Sequence, residues 1–234
     1  MIGKLNETPL YKIMLKISIC IFVCLIIFVF IIFRITLKIK HKSLYPLVPK
    51  KYNFGKRRDT FLMAMDIMSQ NKSTILLETG VARHGLEYSK SDGASTIIFG
   101  QYAKNNGAKL YSVDINHNNI KVCQKSLYDM NIASHVELTT SDSIEYLKTF
   151  PHKVDFLYLD SYDYNRYNSQ IINESQIHHL NEIKAIENKL HQSSIILIDD
   201  CNLPGGGKGK KAINYLQSKG WQILISKYQV LLKK

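Results

Sequence analysis

Acidic residues are nearly missing from the first quarter of this 234-residue chain: residues 1–58 hold one, Glu7, against twelve Lys and Arg. The whole chain carries 31 Lys+Arg and 19 Asp+Glu, so residues 59–234 hold 19 bases and 18 acids and are almost neutral. The net charge of +12 therefore belongs to an N-terminal arm. A nucleic-acid-binding reading of the whole protein loses its support, and no nucleic-acid partner is expected. Proline (5) and glycine (12) are too scarce for collagen-like or low-complexity sequence. Four cysteines exclude a disulfide-scaffold miniprotein and fit a reducing compartment. An apolar fraction of 45% excludes a wholly disordered chain.

Charge is also absent between Ile17 and Phe33. Counted from Ile13, with Lys16 as the one interruption, the apolar run of 21 residues would span about 31 Å as a helix, near the ~30 Å hydrocarbon core of a bilayer. A cleaved signal peptide has a shorter apolar region and a small-residue cleavage site, and Arg34 to Lys38 offers none. The expected organisation is a tail over 1–12, a single transmembrane anchor over 13–33, a basic juxtamembrane linker over 34–58 and a globular domain over 59–234. Three lysines precede the run, and nine Lys and Arg with no acid follow it to Arg58. The positive-inside rule then places the domain in the cytoplasm. The arm serves either as a topology determinant alone or also as a contact for anionic lipid. Two glycosylation sequons, Asn71-Lys72-Ser73 and Asn173-Glu174-Ser175, would report the opposite orientation.

Within the domain, apolar β runs alternate with helical patterns. A helix over about 58–69 is followed by strands near 75–77, 110–113, 135–138, 154–159 and 194–198. Helices are expected over 94–105, 118–130, 143–150, 174–190 and 210–219. The chain ends in two β runs, 221–226 and 228–232, too close in sequence to pair other than antiparallel. This alternation predicts an α/β fold: a doubly wound, mostly parallel, seven-stranded sheet closed by an antiparallel hairpin.

Such sheets bind ligands beyond the carboxyl ends of their strands. Every expected parallel strand ends at an acid or just before one: Glu78, Asp114, Asp142, Asp160, and the pair Asp199-Asp200. Aspartate is common in turns, which accounts for some of these but not for all five at one edge. Phosphate-binding motifs fail. Gly80 to Gly85 has P-loop glycine spacing, but Leu86 stands where Lys is required, and Ala82 breaks the dinucleotide fingerprint. The Gly-rich run Gly205-Gly206-Gly207-Lys208-Gly209-Lys210 has the wrong spacing, and Leu203 to Lys211 reads as either a mobile lid or a plain connector. An acidic edge would also repel a triphosphate unless a metal intervened. A cationic, ribose-bearing cofactor suits it better, because Asp114 at the end of the second strand can accept from two ribose hydroxyls.

On Glu78-Thr79-Gly80, Ser112-Val113-Asp114, Ser141-Asp142-Ser143, Asp155 to Asp160, Leu197 to Asp200 and the terminal hairpin, the domain resembles a class I S-adenosylmethionine-dependent methyltransferase. The first loop is expanded: Asp92-Gly93-Ala94-Ser95-Thr96 opens the next helix twelve residues after Gly80, with Ser95 and Thr96 as its expected caps. The resemblance implies S-adenosylmethionine as cofactor, bound by Glu78, Gly80, Gly93, Ser95, Asp114, Asp142, Ser143 and Asp160. Gly80 would allow close approach of the methionine part, Asp114 would hold the ribose, Asp142 and Ser143 would flank the adenine, and Asp160 would lie near the sulfonium. Arg83 and His84 in the expanded loop read as ligand contacts or solvated residues.

The resemblance to catechol-type O-methyltransferases further implies Mg²⁺ on Asp160, Asp199 and Asp200, with Asp200 standing where that family has Asn. The alternative is that Asp199 and Asp200 cap the turn before Pro204. His178 and His179, expected at the start of a helix, are candidate general bases beside Asp160. On a helical wheel His179 shares the face of Leu180, Ile183 and Ile186 and so also reads as a buried structural residue. The function implied is O-methyl transfer to an unknown hydroxyl acceptor at a membrane, metal-assisted or not. Its rivals are a non-catalytic scaffold on the same fold and a metal-dependent nucleotide- or sugar-processing enzyme.

Overall fold

The computed structural model describes residues 9–234, without the side chains of 37–41. Residues 1–8 of the expected tail, and the side chains of Lys38 and Lys40 in the expected linker, lie outside that description. Two compact units emerge, divided between Lys42 and Ser43.

The first unit is one helix, α1 (Pro9–Lys42). Its stretch Pro9–Thr36 has a mean hydropathy of 3.1 and is long and apolar enough to cross a membrane. Helix continues past Phe33, because nothing from Arg34 to Lys42 breaks it: the stretch has no Gly or Pro.

The second unit begins sixteen residues before the expected domain boundary. Residues 43–57 are not a linker. Leu44, Val48 and Phe54 are fully buried, and so is most of Arg57. The basic composition of this stretch hid three apolar anchors spaced too irregularly to show a period.

α2 (Arg58–Asn71) ends at Lys72, whose left-handed backbone returns its N–H to Met68 and Ser69. The sheet follows, with β1 (Ile75–Thr79), β2 (Lys109–Asp114), β3 (Val136–Thr140), β4 (Val154–Leu159), β5 (Leu190–Ile198), β6 (Gln222–Ser226) and β7 (Val230–Lys233). Their order is β3-β2-β1-β4-β5-β7-β6. The first five are parallel, and β7 pairs antiparallel with both β5 and β6. The seven-stranded sheet and antiparallel hairpin expected from the sequence are both present.

Between the strands lie α3 (Ser89–Asp92), α4 (Ser95–Asn106), α5 (His117–Asp129), α6 (Ser143–Thr149), α7 (Ser169–Ile186) and α8 (Lys210–Ser218). Asn116, Asp142 and Asn168 cap α5, α6 and α7 by accepting backbone N–H bonds one turn in. α7 therefore starts five residues before the expected position, and His178 and His179 sit in its middle.

Alternation along the strands divides two cores. Leu76, Phe156 and Tyr158 face one side with Phe61 and Phe99, while Leu77, Leu157 and Leu159 face the other with Ile183, Leu216 and Trp221. Phe54 extends the first core through edge-to-face contact with Phe61, centroids 6.3 Å apart, and Phe61 meets Phe99 at 5.4 Å. Phe54→Ala in the full chain should therefore cost about 3–5 kcal/mol by chemical denaturation, the range for deleting a buried ring. A loss below about 1 kcal/mol would mean that 43–57 is a linker after all.

Candidate functional site

Strand register sets the site. Thr79 pairs with Val113 and Leu159, and Leu159 with Ile198, so four parallel strands end on one level. The residue after each rung continues the ladder for one bond: Gly80 N–H donates to Val113 O at 2.8 Å, Asp160 N–H to Thr79 O at 2.9 Å and Asp199 N–H to Leu159 O at 3.0 Å. Gly80, Asp114, Asp160 and Asp199 thus leave the sheet together. A side chain at Gly80 would put Cβ 2.6 Å from Asp160 O, and its φ of +83° also favours glycine.

Above this edge lies a cleft of about 690 Å³, lined among others by Gly80, Ser95, Asp114, Asp142, Ser143, Asp160 and His178. Asp114 is held from behind. Its carboxylate accepts from Asn116 N–H at 2.7 Å, from Asn119 Nδ2 at 3.2 Å and from Val81 N–H at 3.3 Å. Asp142 caps α6, accepting from Glu145 N–H at 3.0 Å.

Two expected cofactor residues lie elsewhere. Glu78 is fully buried beneath the cleft, where Ser95 Oγ donates to one carboxylate oxygen and Ser112 Oγ donates to the other at 2.7 Å. Burial raises its pKa to about 7. Gly93 is also buried and off the cleft; a Cβ there would meet Arg57 Cδ at 2.9 Å. Ser95 and Thr96 do not cap α4. Ser95 goes to Glu78, and Thr96 Oγ1 accepts from Ala82 N–H at 2.8 Å, so both pin the expanded loop to the sheet. Arg83 reaches Asp163 at 3.3 Å and Asp92 at 3.6 Å, and His84 reaches Asp92 at 3.6 Å, so the expanded loop meets the segment after β4 at the cleft's rim.

The two histidines separate. His179 is fully buried; its Nδ1 lies 2.8 Å from Ser175 O, its Nε2 has no partner, and burial lowers its pKa to about 4. It does not face the cleft. His178 does, with Nε2 3.0 Å from Ser143 Oγ and 3.4 Å from Glu182 Oε1. Glu182 is buried and also accepts from Ser161 Oγ at 2.6 Å. Burial opposes the charge on both partners, yet each favours the other's ionised form. The pKa of His178 is raised, and that of Glu182 falls to about 2.

The three aspartates expected to hold metal do come together, but around side-chain cations. Arg57 Nε donates to Asp199 Oδ2 at 2.7 Å, and Tyr158 Oη donates to the same oxygen at 2.6 Å. Lys208 Nζ lies 2.9 Å from Asp160 Oδ1 and 3.2 Å from Asp200 Oδ2. Tyr228 Oη donates to Asp200 Oδ1. Among the described residues, no group of three His, Cys, Asp or Glu is arranged to hold a metal ion. A divalent ion does not fit this donor set, because its place against Asp160 and Asp200 is taken by an ammonium group.

Sequence reasoning missed Arg57 and Lys208. Arg57 was counted with the basic arm. Lys208 stood in the Gly-rich run dismissed as a failed phosphate loop, which is neither lid nor free connector. Gln176 Nε2 ties it down through Gly205 O at 3.1 Å and Gly207 O at 3.0 Å.

A family model described as "Methyltransferase domain" matches residues 90–201. A search of curated proteins finds no match. Among solved structures, the S-adenosylhomocysteine-bound methyltransferase PaMTH1 of Podospora anserina superposes with a TM-score of 0.54 at 12% identity, over 75% of this chain and 78% of that one. The O-methyltransferase TomG of Streptomyces achromogenes, solved with S-adenosylmethionine, gives 0.53 at 10% identity, over 77% and 81%. These likenesses establish the fold.

The His178–Glu182 pair makes a prediction with a defined sign. A raised histidine pKa adds stability in full below the unfolded value, about 6.5, and loses it as pH rises through the folded value. Titration of the His178 ring by NMR should give a pKa above that reference. Glu182→Gln should lower it, because burial is then opposed chiefly by the weaker influence of Asp142. An unchanged value in Glu182→Gln would refute the pairing.

Proposed function

We propose that the globular unit is a class I S-adenosylmethionine-dependent methyltransferase domain, and that its reaction is methyl transfer to a hydroxyl acceptor close to a membrane. The observation that carries this reading is the pairing of Asp114 and Asp160 in one cleft on either side of Gly80, where no side chain intrudes.

The cleft volume lies within the usual ~300–1,000 Å³ of ligand sites. Asp114, fixed by three donors, keeps its carboxylate aimed to accept from vicinal hydroxyls of a ribose. Asp142 and Ser143 border the place of the base, and Asp160 presents negative charge where a sulfonium would be stabilised. S-adenosylmethionine supplies an electrophilic methyl group. The residues of this chain do the rest. Tyr162, Ile171 and Glu174 line the remaining part of the cleft, next to His178, and would form the acceptor side. His178 would take the acceptor's proton, with Glu182 steadying the imidazolium and Ser143 fixing the ring. Since Glu182 raises its pKa, His178 is a base only in its neutral form, and activity should climb with pH through that value.

O-methyl specificity is supported by the fold likeness to TomG, which is an O-methyltransferase, and by a neutralisable base beside the acceptor side. The α1 helix would anchor the domain. The excess of basic residues after its apolar core favours a cytoplasmic domain, with the exposed Lys50, Lys51 and Lys56 available to anionic lipid.

Calorimetric titration of the full chain in detergent micelles with S-adenosylhomocysteine should show one site, and Asp114→Ala should weaken it by about 100-fold or more, as expected for losing two charge-assisted hydrogen bonds. No binding by a folded chain would move the reading to a scaffold, and nucleotide binding that requires metal would move it to the rival enzyme class. Expression in a eukaryotic host should leave Asn71 and Asn173 without glycan. A glycan on either would reverse the orientation.

A further inference from the structure

The Gly-rich run after β5 has a structural purpose that the cofactor cleft does not explain. Gly207 has a φ of +61°, and a Cβ there would lie 1.9 Å from Asp200 O. Gly209 is also tight, its Cβ position being 2.6 Å from Cys201 Sγ. Only glycine permits this fold-back, which Lys208 N–H closes by donating to Asp200 O at 3.2 Å. The result is a lysine 4% exposed, with its ammonium between Asp160 and Asp200.

A lysine is costly to bury, and its charged head survives only with close partners. Here burial opposes the charge, but Asp160, Asp200 and Asp199 outweigh it. The dependence is mutual. Burial pushes the Asp160 carboxyl well above its usual range, and Lys208 is the strongest influence in the other direction. Arg57 pairs with Asp199 at 2.7 Å, from a segment that Gly93 lets pass. Three carboxylates therefore meet two fixed cations, each delivered by a backbone feature that needs glycine.

We propose that Lys208 is a built-in substitute for a divalent cation: its ammonium holds Asp160 and Asp200 in the places where metal ligands would stand, and makes the domain independent of metal. Lys208 is a positioning residue, since its Nζ is enclosed by the carboxylates and acts on the cleft only through Asp160. The proposal rests on the methyltransferase reading for the ligand in the cleft, but not for the cation arrangement itself. It gives Asp200 a partner, the Lys208 ammonium 3.2 Å from its Oδ2.

The test uses the full chain in detergent micelles with Mn²⁺ as the probe, read by loss of the free-ion signal in electron paramagnetic resonance. Wild type should bind no Mn²⁺ at sub-millimolar concentrations, and its affinity for S-adenosylhomocysteine should be equal in EDTA and in Mg²⁺. Lys208→Met should create a Mn²⁺ site at least about tenfold tighter than any in wild type, since an unpaired oxygen cluster suits a hard cation. Asp160→Asn added to that variant should remove the site. A merely structural lysine would leave no such site behind when replaced. If Lys208→Met fails to fold, Lys208→Gln, which keeps a donor toward Asp160, takes its place. A wild-type Mn²⁺ site abolished by Asp160→Asn would overturn the proposal, as would a folded Lys208→Met with no Mn²⁺ site. Loss of S-adenosylhomocysteine binding in wild type would instead count against the methyltransferase reading, so the two failures are distinguishable.

Discussion

Three carboxylates brought to one level by strand register must be neutralised, and the solution to that problem organises much of the domain. Asp160 and Asp199 follow directly from the last paired rungs of β4 and β5, and Asp200 follows next. Leaving any of them unpaired in a buried place would cost several kcal/mol. Arg57 answers from the segment before α2, and Lys208 from the glycine loop after β5. Each cation also fastens the piece of chain that carries it. Arg57 donates to Ser91 O at 3.0 Å and so joins the expanded first loop to the fifth strand. The segment 43–57, the expanded loop and the glycine loop are in this sense closures around one charge cluster.

The cleft is built on those closures. With the expanded loop pinned through Thr96 and Arg57, Arg83 and Asp92 are set at the rim. With Asp160 held by Lys208, one wall of the cleft carries a fixed carboxyl group. On the other wall, Glu182 and Ser143 fix His178. Polar groups arranged before a ligand arrives act without reorganising, which is the general basis of catalysis by such sites.

The fold was legible because its signals are local and repeated. Strands buried on both faces read as apolar runs, and a short gap between the last two forced a hairpin. The row of acids at strand ends was legible for the same reason, since a strand's end is visible in sequence. Side-chain direction was less so. Glu78 alternates inward on β1, and His179 lies a helical step from His178 on the buried face of α7, so their neighbours decided their roles. The partners of the acids were not legible. Arg57 and Asp199 are 142 positions apart, and nothing local to Arg57 distinguishes it from Arg58 beside it. Lys208 was visible only as a glycine-rich basic run, whose meaning depends on the φ of Gly207 and on what that turn approaches.

The most direct test of the account is a crystal structure of the full chain grown with S-adenosylhomocysteine and Mn²⁺, with anomalous data collected for manganese. The account predicts the ligand in the cleft with its ribose on Asp114, Lys208 still between Asp160 and Asp200, and no manganese peak there. A manganese ion coordinated by Asp160 and Asp200, with Lys208 displaced, would contradict it.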